Sequence, residues 1–223
     1  MGVPGSYRQA PRDPGPAMTT PPANASSPPV LNIANVLTVV RLLLVPVFLV
    51  ALFVDDGLSV AWRLVAAGVF AVAAITDRLD GQLARSRGLV TDFGAVADPI
   101  ADKALTGAAW IGLSLLNLMP WWVTIVIIGR EVAITLLRFW VIRHGVIAAS
   151  RGGKAKTFVQ SLAIGLYVLP LAELLGASNT LTGLRWAVLG LALVLTVVTG
   201  ADYVVRAVKL RRAARTAVHD EVA

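Results

Sequence analysis

The sequence predicts an all-α integral membrane protein with six transmembrane helices and with both termini in the cytoplasm. Three observations lead to this prediction. First, 57% of the residues are hydrophobic and the mean hydropathy is +0.74, whereas soluble domains average about 45–50% apolar residues. Second, these residues occur in long runs, and a transmembrane helix needs about 20 mostly apolar residues in succession. Third, connections that are rich in Lys and Arg alternate along the chain with connections that contain neither, as expected when successive loops lie on opposite sides of a membrane.

Six segments have the length and composition of a membrane span. Pro120, Gly176 and Gly183 are predicted to mark connections between them, since Pro and Gly interrupt helices. The approximate bounds of the six segments are 36–53, 62–83, 94–116, 121–142, 157–175 and 184–205.

The charges of the connections set the predicted orientation. Connections 54–60, 117–120 and 176–183 contain no Lys or Arg, and the first carries two aspartates. The connections on the other side are rich in Arg and Lys, and positive loops remain in the cytoplasm. We therefore expect a multi-pass protein of the cell membrane. The net charge of +7 then reflects topology, so no nucleic-acid partner is expected.

Composition divides the chain into three predicted regions. Residues 1–30 are rich in Pro and Ala, which bury too little apolar surface to offset the cost of ordering, so this tail is predicted to be disordered. Residues 31–205 form the six-helix transmembrane domain. Residues 206–223 form a basic cytoplasmic tail, which suits an anionic lipid surface or serves as a stop-transfer anchor.

Several kinds of site are excluded or disfavoured by composition. The chain has no cysteine, so disulfides, thiolate nucleophiles and Cys-ligated zinc are excluded. The two histidines, His144 and His219, have no neighbours that suit a zinc site or a catalytic triad.

Four aspartates lie within or beside the second and third spans, where charge is costly and indicates function. Asp77 and Asp80 are three residues apart, and Asp98 and Asp102 are four apart, so each pair shares one helix face. A short basic loop joins the two helices, which predicts antiparallel neighbours. Such close acids cannot all stay ionised unaided, whereas Mg²⁺ or Mn²⁺ binds oxygen ligands of this kind. Buried ion pairs with Arg78, Arg85 and Lys103 are the alternative.

Small residues accompany the acids. Gly81 follows Asp80, Ala84 lies one turn further, and Gly94 precedes Asp98 by one turn. Small side chains leave room for a substrate between the helices, although close helix packing explains any single glycine equally well.

The acidic segment reads D77-RL-D80-G81-QL-A84-R85, then eight residues, then G94-AVA-D98-PIA-D102. It resembles the signature of the CDP-alcohol phosphatidyltransferases, D-x2-D-G-x2-A-R-x8-G-x3-D-x3-D, at every fixed position. The predicted six-span layout is also similar to that family.

This resemblance implies transfer of a phosphatidyl group from CDP-diacylglycerol to an alcohol, with release of CMP. It implies two divalent ions, Mg²⁺ or Mn²⁺, held by Asp77, Asp80 and Asp98, and it makes Asp102 the general base in contact with a metal. It also implies a homodimer with its active site facing the cytosol. Residues that line the cytidine diphosphate pocket would be Gly81, Ala84, Arg85 and Gly94.

Three further segments resemble the branch of this family that uses sn-glycerol 3-phosphate as acceptor, and together with the signature the likeness covers roughly residues 31–170. The segments are LNIANVLTVVRLLLVPVF with Asn35, Thr38 and Arg41, WWVTIVIIGREVAITLLR with Arg130, Glu131 and Arg138, and GGKAKTFVQ with Lys154, Lys156 and Thr157.

The charges of these segments favour the same acceptor. A phosphate dianion needs cations that the carboxylates do not neutralise. Arg130 and Arg138 are eight apart, within about 80° on one helix, and Lys154 and Lys156 lead into the next span, so a phosphate site is predicted from these residues. Arg41 either joins this site or extends to the lipid headgroups.

Other functions remain open from the sequence. An inositol phosphate acceptor is also anionic, and phosphatidylglycerol would serve as the acceptor in cardiolipin synthesis. A small transporter is the alternative from another class, but it predicts charges at several depths and duplicated halves. The acids instead cluster at one end of two adjacent helices.

Overall fold

The computed structural model describes the backbone of residues 33–87, 92–141 and 151–220, and side chains within 35–77, 100–101, 103–140 and 152–211. The predicted N-terminal tail, 1–30, lies outside the described residues. The described backbone forms helices throughout, joined by short turns and one 3-10 turn at Val54–Gly57. The helices are α1 Ile33–Phe53, α2 Val60–Arg87, α3 Asp92–Leu115, α4 Trp121–Val141, α5 Arg151–Val168, α6 Leu171–Leu175 and α7 Asn179–Asp220.

Helices occur at each of the six predicted positions, and the described residues contain no strand. The all-α prediction is therefore confirmed. Two details were wrong. The fifth predicted segment is divided into α5 and the short α6, and Gly183 lies inside α7 rather than in a connection.

Pro170 explains the division of the fifth segment. Proline has no backbone N–H and clashes with the preceding turn, so a helix ends at or before the residue that precedes it. Here α5 ends at Val168, and the chain turns at Leu169 before α6 begins at Leu171. The carbonyl of Leu166, four residues before Pro170, therefore loses its backbone donor.

The helices pack into one bundle. Helix α1 packs against α2 and α3, α7 packs against α4 and α5, and α5 also contacts α2 and α3. Buried apolar side chains from every long helix fill the centre, and the Phe48 and Phe70 rings lie 5.9 Å apart. Among the described residues, the largest fully buried side chain is Trp110 on α3, and α3 contacts α1, α2, α4 and α5.

Hydroxyl groups join α3 and α4 near their connection. The Ser114 and Thr124 hydroxyl oxygens lie 2.7 Å apart, and Thr124 also donates to the Trp110 carbonyl at 3.2 Å. The connection itself turns at Asn117, whose φ is +56°, a left-handed conformation that Asn tolerates at a helix end. These contacts fix α3 and α4 as antiparallel neighbours.

Within the part of the chain that the structure describes, three stretches are long and apolar enough to cross a membrane, which supports a membrane protein. They are Asn35–Gly57, Val60–Asp77 and Asn179–Arg211. Large apolar side chains on them face outward, including Leu43 at 63% exposure and Val50 at 65%. Such a surface is rare in water-soluble monomers and is expected against lipid tails. Helices α3, α4 and α5 each carry three or more ionisable residues, and Lys103, Glu131 and Lys156 among these residues line a cavity between the three helices.

Candidate active site

The predicted carboxylates lie on two helices that contact each other. Asp77 and Asp80 belong to α2, and Asp98 and Asp102 belong to α3. Of these four side chains, the structure describes that of Asp77. The other predicted residues of this segment lie outside the described side chains, namely Asp80, Gly81, Ala84, Arg85, Gly94, Asp98 and Asp102.

Asp77 contacts an arginine from α1. The Arg41 guanidinium Nη1 lies 2.7 Å from Asp77 Oδ1, and the Arg41 side chain is only 1% exposed. Asn35 and Thr38 precede Arg41 at intervals of three and are also buried, so the predicted N-x2-T-x2-R residues form one inward face of α1. Arg41 therefore orients a carboxylate of the predicted metal site.

A cavity of about 270 Å³ lies between α3, α4 and α5. Its inner wall is apolar and includes Trp110 and Ile127. A smaller cavity beside Arg41 and Asp77 shares Thr106 and Thr157 with it, so the two spaces are neighbours. Charged and polar side chains line the larger cavity: Lys103, Thr106, Glu131, Thr135, Lys156, Thr157 and Gln160.

Glu131 is the acidic centre of this cavity. Its Oε1 atom accepts from Arg130 Nη1 at 3.1 Å and from the Lys156 ammonium. Lys156 comes from α5 and is buried, whereas Lys154, two residues earlier, is exposed. One carboxylate thus joins cations from two helices.

Arg130 is directed mainly toward α7. Its Nε donates to the Thr196 carbonyl at 3.1 Å, and its Nη2 donates to the Thr199 hydroxyl at 3.0 Å. A methyl group at Gly200 would lie 3.0 Å from Arg130 Nε, so a small residue leaves room for this guanidinium. Arg138 follows two turns later, with its guanidinium carbon 6.0 Å from the centre of the Tyr203 ring.

The two α4 arginines therefore share a face, as their spacing predicts, but that face contacts α7. Neither lines the cavity formed by the described residues. Lys103 does line it and donates to the Thr135 hydroxyl, which in turn donates to the Glu131 carbonyl at 2.8 Å. The sequence indicated Lys103 only as a counter-charge for the acids. Thr135 and Gln160 were missed, although Thr135 lies one turn from Glu131.

A second charged group lies at the other end of α2. Arg63 is 4% exposed and donates to the carbonyls of Val168 at 3.1 Å and Tyr167 at 2.8 Å. Its Nη1 also lies 3.2 Å from Glu173 Oε1. Arg63 thereby satisfies carbonyls at the end of α5, where a helix has no amide donors of its own.

Arg185 of α7 completes this group. Its Nε donates to the Leu166 carbonyl and its Nη2 to the Leu169 carbonyl, both at 3.1 Å. Pro170 removed the backbone donor for Leu166, so Arg185 replaces it. The Arg185 guanidinium also lies 5.6 Å from the centre of the Tyr167 ring. The sequence analysis did not predict these contacts, because the partners are far apart in the chain.

Comparisons with known proteins identify the family of this chain. A family model described as CDP-alcohol phosphatidyltransferase matches residues 31–198. A relative named probable phosphatidylglycerophosphate synthase, from Mycobacterium tuberculosis (strain CDC 1551 / Oshkosh), is 55% identical over 180 residues, which are 81% of this chain and 83% of the relative.

Two more distant relatives are each named CDP-diacylglycerol–glycerol-3-phosphate 3-phosphatidyltransferase. The Bacillus subtilis (strain 168) protein is 40% identical over 149 residues, 62% of this chain and 77% of its own. The Rickettsia felis (strain ATCC VR-1525 / URRWXCal2) protein is 33% identical over 177 residues, 77% of this chain and 93% of its own. The family model covers the helices that carry the carboxylates and the cavity, and this chain belongs to the CDP-alcohol phosphatidyltransferase family.

Proposed function

We propose that this protein transfers the phosphatidyl group of CDP-diacylglycerol to sn-glycerol 3-phosphate, giving phosphatidylglycerol phosphate and CMP in phospholipid biosynthesis. The observation that carries the proposal is the cavity with two lysines beside the carboxylate-bearing helices. The names of the three relatives support the same substrates. Membership of the family supports the transfer chemistry.

The size of the cavity supports a small acceptor. Pockets for drug-sized ligands measure roughly 300–1,000 Å³, and this one measures about 270 Å³. A water-soluble phosphate ester suits that volume better than a second phospholipid does. The lysines on α3 and α5 suit the phosphate, which forms strong charge-assisted hydrogen bonds.

The chemistry of the donor set supports the proposed metal site. Asp77 and Asp80 are separated by three residues on α2, and Asp98 and Asp102 by four on α3, so contacting helices carry two pairs of carboxylates. Carboxylate oxygens are the ligands that Mg²⁺ and Mn²⁺ prefer. Asp77, Asp80 and Asp98 would hold two such ions, with Asp102 beside them. When bound, these ions stabilise negative charge on the pyrophosphate and on the departing CMP.

The proposed reaction is one displacement at phosphorus. A hydroxyl oxygen of glycerol 3-phosphate forms a bond to the phosphatidyl phosphorus, and the bond from that phosphorus to the bridging oxygen of CMP breaks. CMP leaves with the electron pair of that bond. Asp102 is proposed to accept the hydroxyl proton as general base, and Gly81, Ala84, Arg85 and Gly94 to line the cytidine diphosphate pocket.

The predicted basic residues take different positions around this reaction. Lys156 lines the cavity, so its proposed contact with the acceptor phosphate has the best support. Lys154 is exposed two residues before Lys156, and Thr157 lines both cavities. Arg41 orients Asp77. Arg130 and Arg138 contact α7, and these contacts suit a role in positioning the helices around the site.

The proposed membrane arrangement has six spans, with both termini and the active site on the cytosolic side of the cell membrane. It rests on the distribution of Lys and Arg in the connections, following the positive-inside rule. A homodimer is proposed from the family resemblance alone. Cross-linking in native membranes would test the dimer, and labelling of single introduced cysteines would test the orientation.

The test of the proposed function is CMP release by purified protein supplied with CDP-diacylglycerol and Mg²⁺ or Mn²⁺. Glycerol 3-phosphate, inositol 3-phosphate, inositol, serine and phosphatidylglycerol are each added alone. We expect release with glycerol 3-phosphate, and we expect chelation of the metal to stop it.

Other outcomes would change specific parts of the proposal. Metal-dependent release with another acceptor would retain the carboxylate site and overturn the assignment of the acceptor. Absence of release with every acceptor, from protein that is folded by circular dichroism, would contradict the proposed transfer.

A further inference from the structure

One of the two cavity lysines, Lys103, has no individual role in the function proposed above. Lys103 follows Asp102 directly on α3, and its side chain lines the cavity opposite Lys156 of α5. Glu131 of α4 provides the third wall. Two ammonium groups from different helices thus face one space, and the only carboxylate among the described lining residues is that of Glu131.

The described charged residues that line this cavity or contact its Glu131 carry more positive than negative charge. Arg130 and Lys156 both contact Glu131 Oε1, and Lys103 adds a third cation to the group. One carboxylate balances one of the three cations, so the described group carries about two positive charges in excess. A phosphate monoester is close to a dianion at neutral pH, and its charge therefore complements this excess.

The position of Lys103 is fixed by α4. Its ammonium donates to the Thr135 hydroxyl, and that hydroxyl donates its single proton to the Glu131 carbonyl at 2.8 Å. An ammonium has three N–H donors, and Thr135 accepts one of them. Among the described residues, Thr135 is the one hydrogen-bond acceptor that Lys103 contacts, so two donors remain for a ligand in the cavity.

We propose that Lys103 is a specificity-determining residue, which binds the phosphate of the acceptor together with Lys156 and so selects a phosphorylated acceptor over a neutral one. This inference rests on the proposed function. Thr135 is a positioning residue for Lys103. Lys103 lies on the same turn of α3 as the proposed base Asp102, so phosphate bound by Lys103 would hold the acceptor at the level of that base along the helix.

A competing role for Lys103 makes a different prediction. If Lys103 only balanced the charge of the aspartates, its removal would lower kcat with every acceptor and would leave the discrimination between acceptors unchanged. Phosphate binding instead affects the KM of the phosphorylated acceptor. The two roles therefore separate when glycerol 3-phosphate is compared with glycerol.

The test measures CMP release by Lys103→Met, Lys103→Arg and Thr135→Val, with Lys209→Met as the matched loss of an exposed lysine. Because a hydrogen bond to a charged group contributes more than a neutral one, we expect Lys103→Met to raise the KM for glycerol 3-phosphate about 10- to 100-fold. The KM for CDP-diacylglycerol and the rate with glycerol should stay within about twofold. Thr135→Val should raise the same KM about 2- to 10-fold.

The conservative variant and the control complete the test. Lys103→Arg keeps the charge and should restore most of the affinity, and Lys209→Met should match the unmodified protein. An unchanged KM for glycerol 3-phosphate in Lys103→Met, or an equal loss with glycerol, would overturn the inference. If Lys103→Met does not fold, an unchanged KM in Thr135→Val overturns it instead. Failure of the unmodified protein to use glycerol 3-phosphate would contradict the proposed function itself.

Discussion

Two groups of charged residues lie in this bundle, and they differ in what their cations contact. At the start of α2, Arg63 and Arg185 donate mainly to backbone carbonyls at the end of α5. Beside the cavity, Lys103 and Lys156 contact the side chains of Thr135 and Glu131. Arg63 lies fourteen residues before Asp77 on α2, about 21 Å along the helix, and Asp77 lines the smaller cavity that adjoins the lysine-lined one.

The difference separates charges that stabilise the fold from charges that face a cavity. Carbonyls at a helix end need donors, and within a membrane water does not supply them. Arg63 and Arg185 meet that need, so their hydrogen-bonding capacity is directed inward. The lysines of the cavity line an accessible space instead. A buried charge in a membrane protein therefore indicates function only after its partners are known.

Arg63→Met should produce the largest loss of stability and little loss of transfer activity in the protein that remains folded. It leaves the Tyr167 and Val168 carbonyls without the donors described here, and each buried acceptor left unpaired costs about 1–3 kcal/mol. We expect a clear fall in the thermal unfolding temperature in detergent. For the protein that remains folded, the KM for glycerol 3-phosphate should not change.

Arg206→Met is the matched control for Arg63→Met. Arg206 forms an exposed i,i+4 pair with Asp202 at 3.0 Å, and such pairs contribute about 0.3–0.5 kcal/mol. Its unfolding temperature should therefore stay close to that of the unmodified protein. Equal shifts in the two variants would contradict the role of Arg63 at the end of α5.

Lys156→Met and Lys154→Met compare two lysines that are two residues apart on α5. Lys156 is buried and lines the cavity, whereas Lys154 is exposed and does not. We expect the KM for glycerol 3-phosphate to rise about 10- to 100-fold for Lys156→Met and by a smaller factor for Lys154→Met. Steady-state kinetics would measure the two KM values. A larger increase for Lys154→Met than for Lys156→Met would refute the assignment of Lys156.

Thr199→Val should have the smallest effect on the cavity group. The Thr199 hydroxyl accepts from Arg130 Nη2 at 3.0 Å, and loss of one hydrogen bond costs about 0.5–1.5 kcal/mol. We expect a modest fall in unfolding temperature and a KM for glycerol 3-phosphate that rises less than in Lys156→Met. Thr199→Ser keeps the hydroxyl and should behave like the unmodified protein.

The sequence predicted the helices, and which helix carries each candidate site residue, more readily than it predicted the contacts between side chains. The apolar runs predicted six helical positions, because burial in lipid requires long uninterrupted apolar segments. The same measure failed at Pro170, since hydropathy does not register a missing backbone donor. Gly183 was assigned to a connection, but a glycine inside a helix costs only about 1 kcal/mol relative to alanine, and α7 continues through it.

Side-chain partners were harder to predict. The spacing of Arg130 and Arg138 correctly placed them on one face of α4, but spacing does not reveal which helix that face contacts. The contacts with Thr196 and Tyr203 cross 60 or more positions of the chain. Arg63 likewise contacts residues more than 100 positions away. Local periodicity carries no information on pairing over such distances, which depends on how the helices assemble.

We propose that the carboxylate end of the bundle performs a metal-dependent phosphatidyl transfer to glycerol 3-phosphate. The most direct measurement is formation of labelled phosphatidylglycerol phosphate from labelled glycerol 3-phosphate, by the unmodified protein and by Asp98→Asn in identical vesicles. Loss of a residue that hydrogen-bonds to a metal ligand lowers metal affinity or activity about 10- to 100-fold. We therefore expect Asp98→Asn, which removes a proposed ligand itself, to lower product formation at least about 100-fold without unfolding the protein. Retained turnover in folded Asp98→Asn would contradict the account.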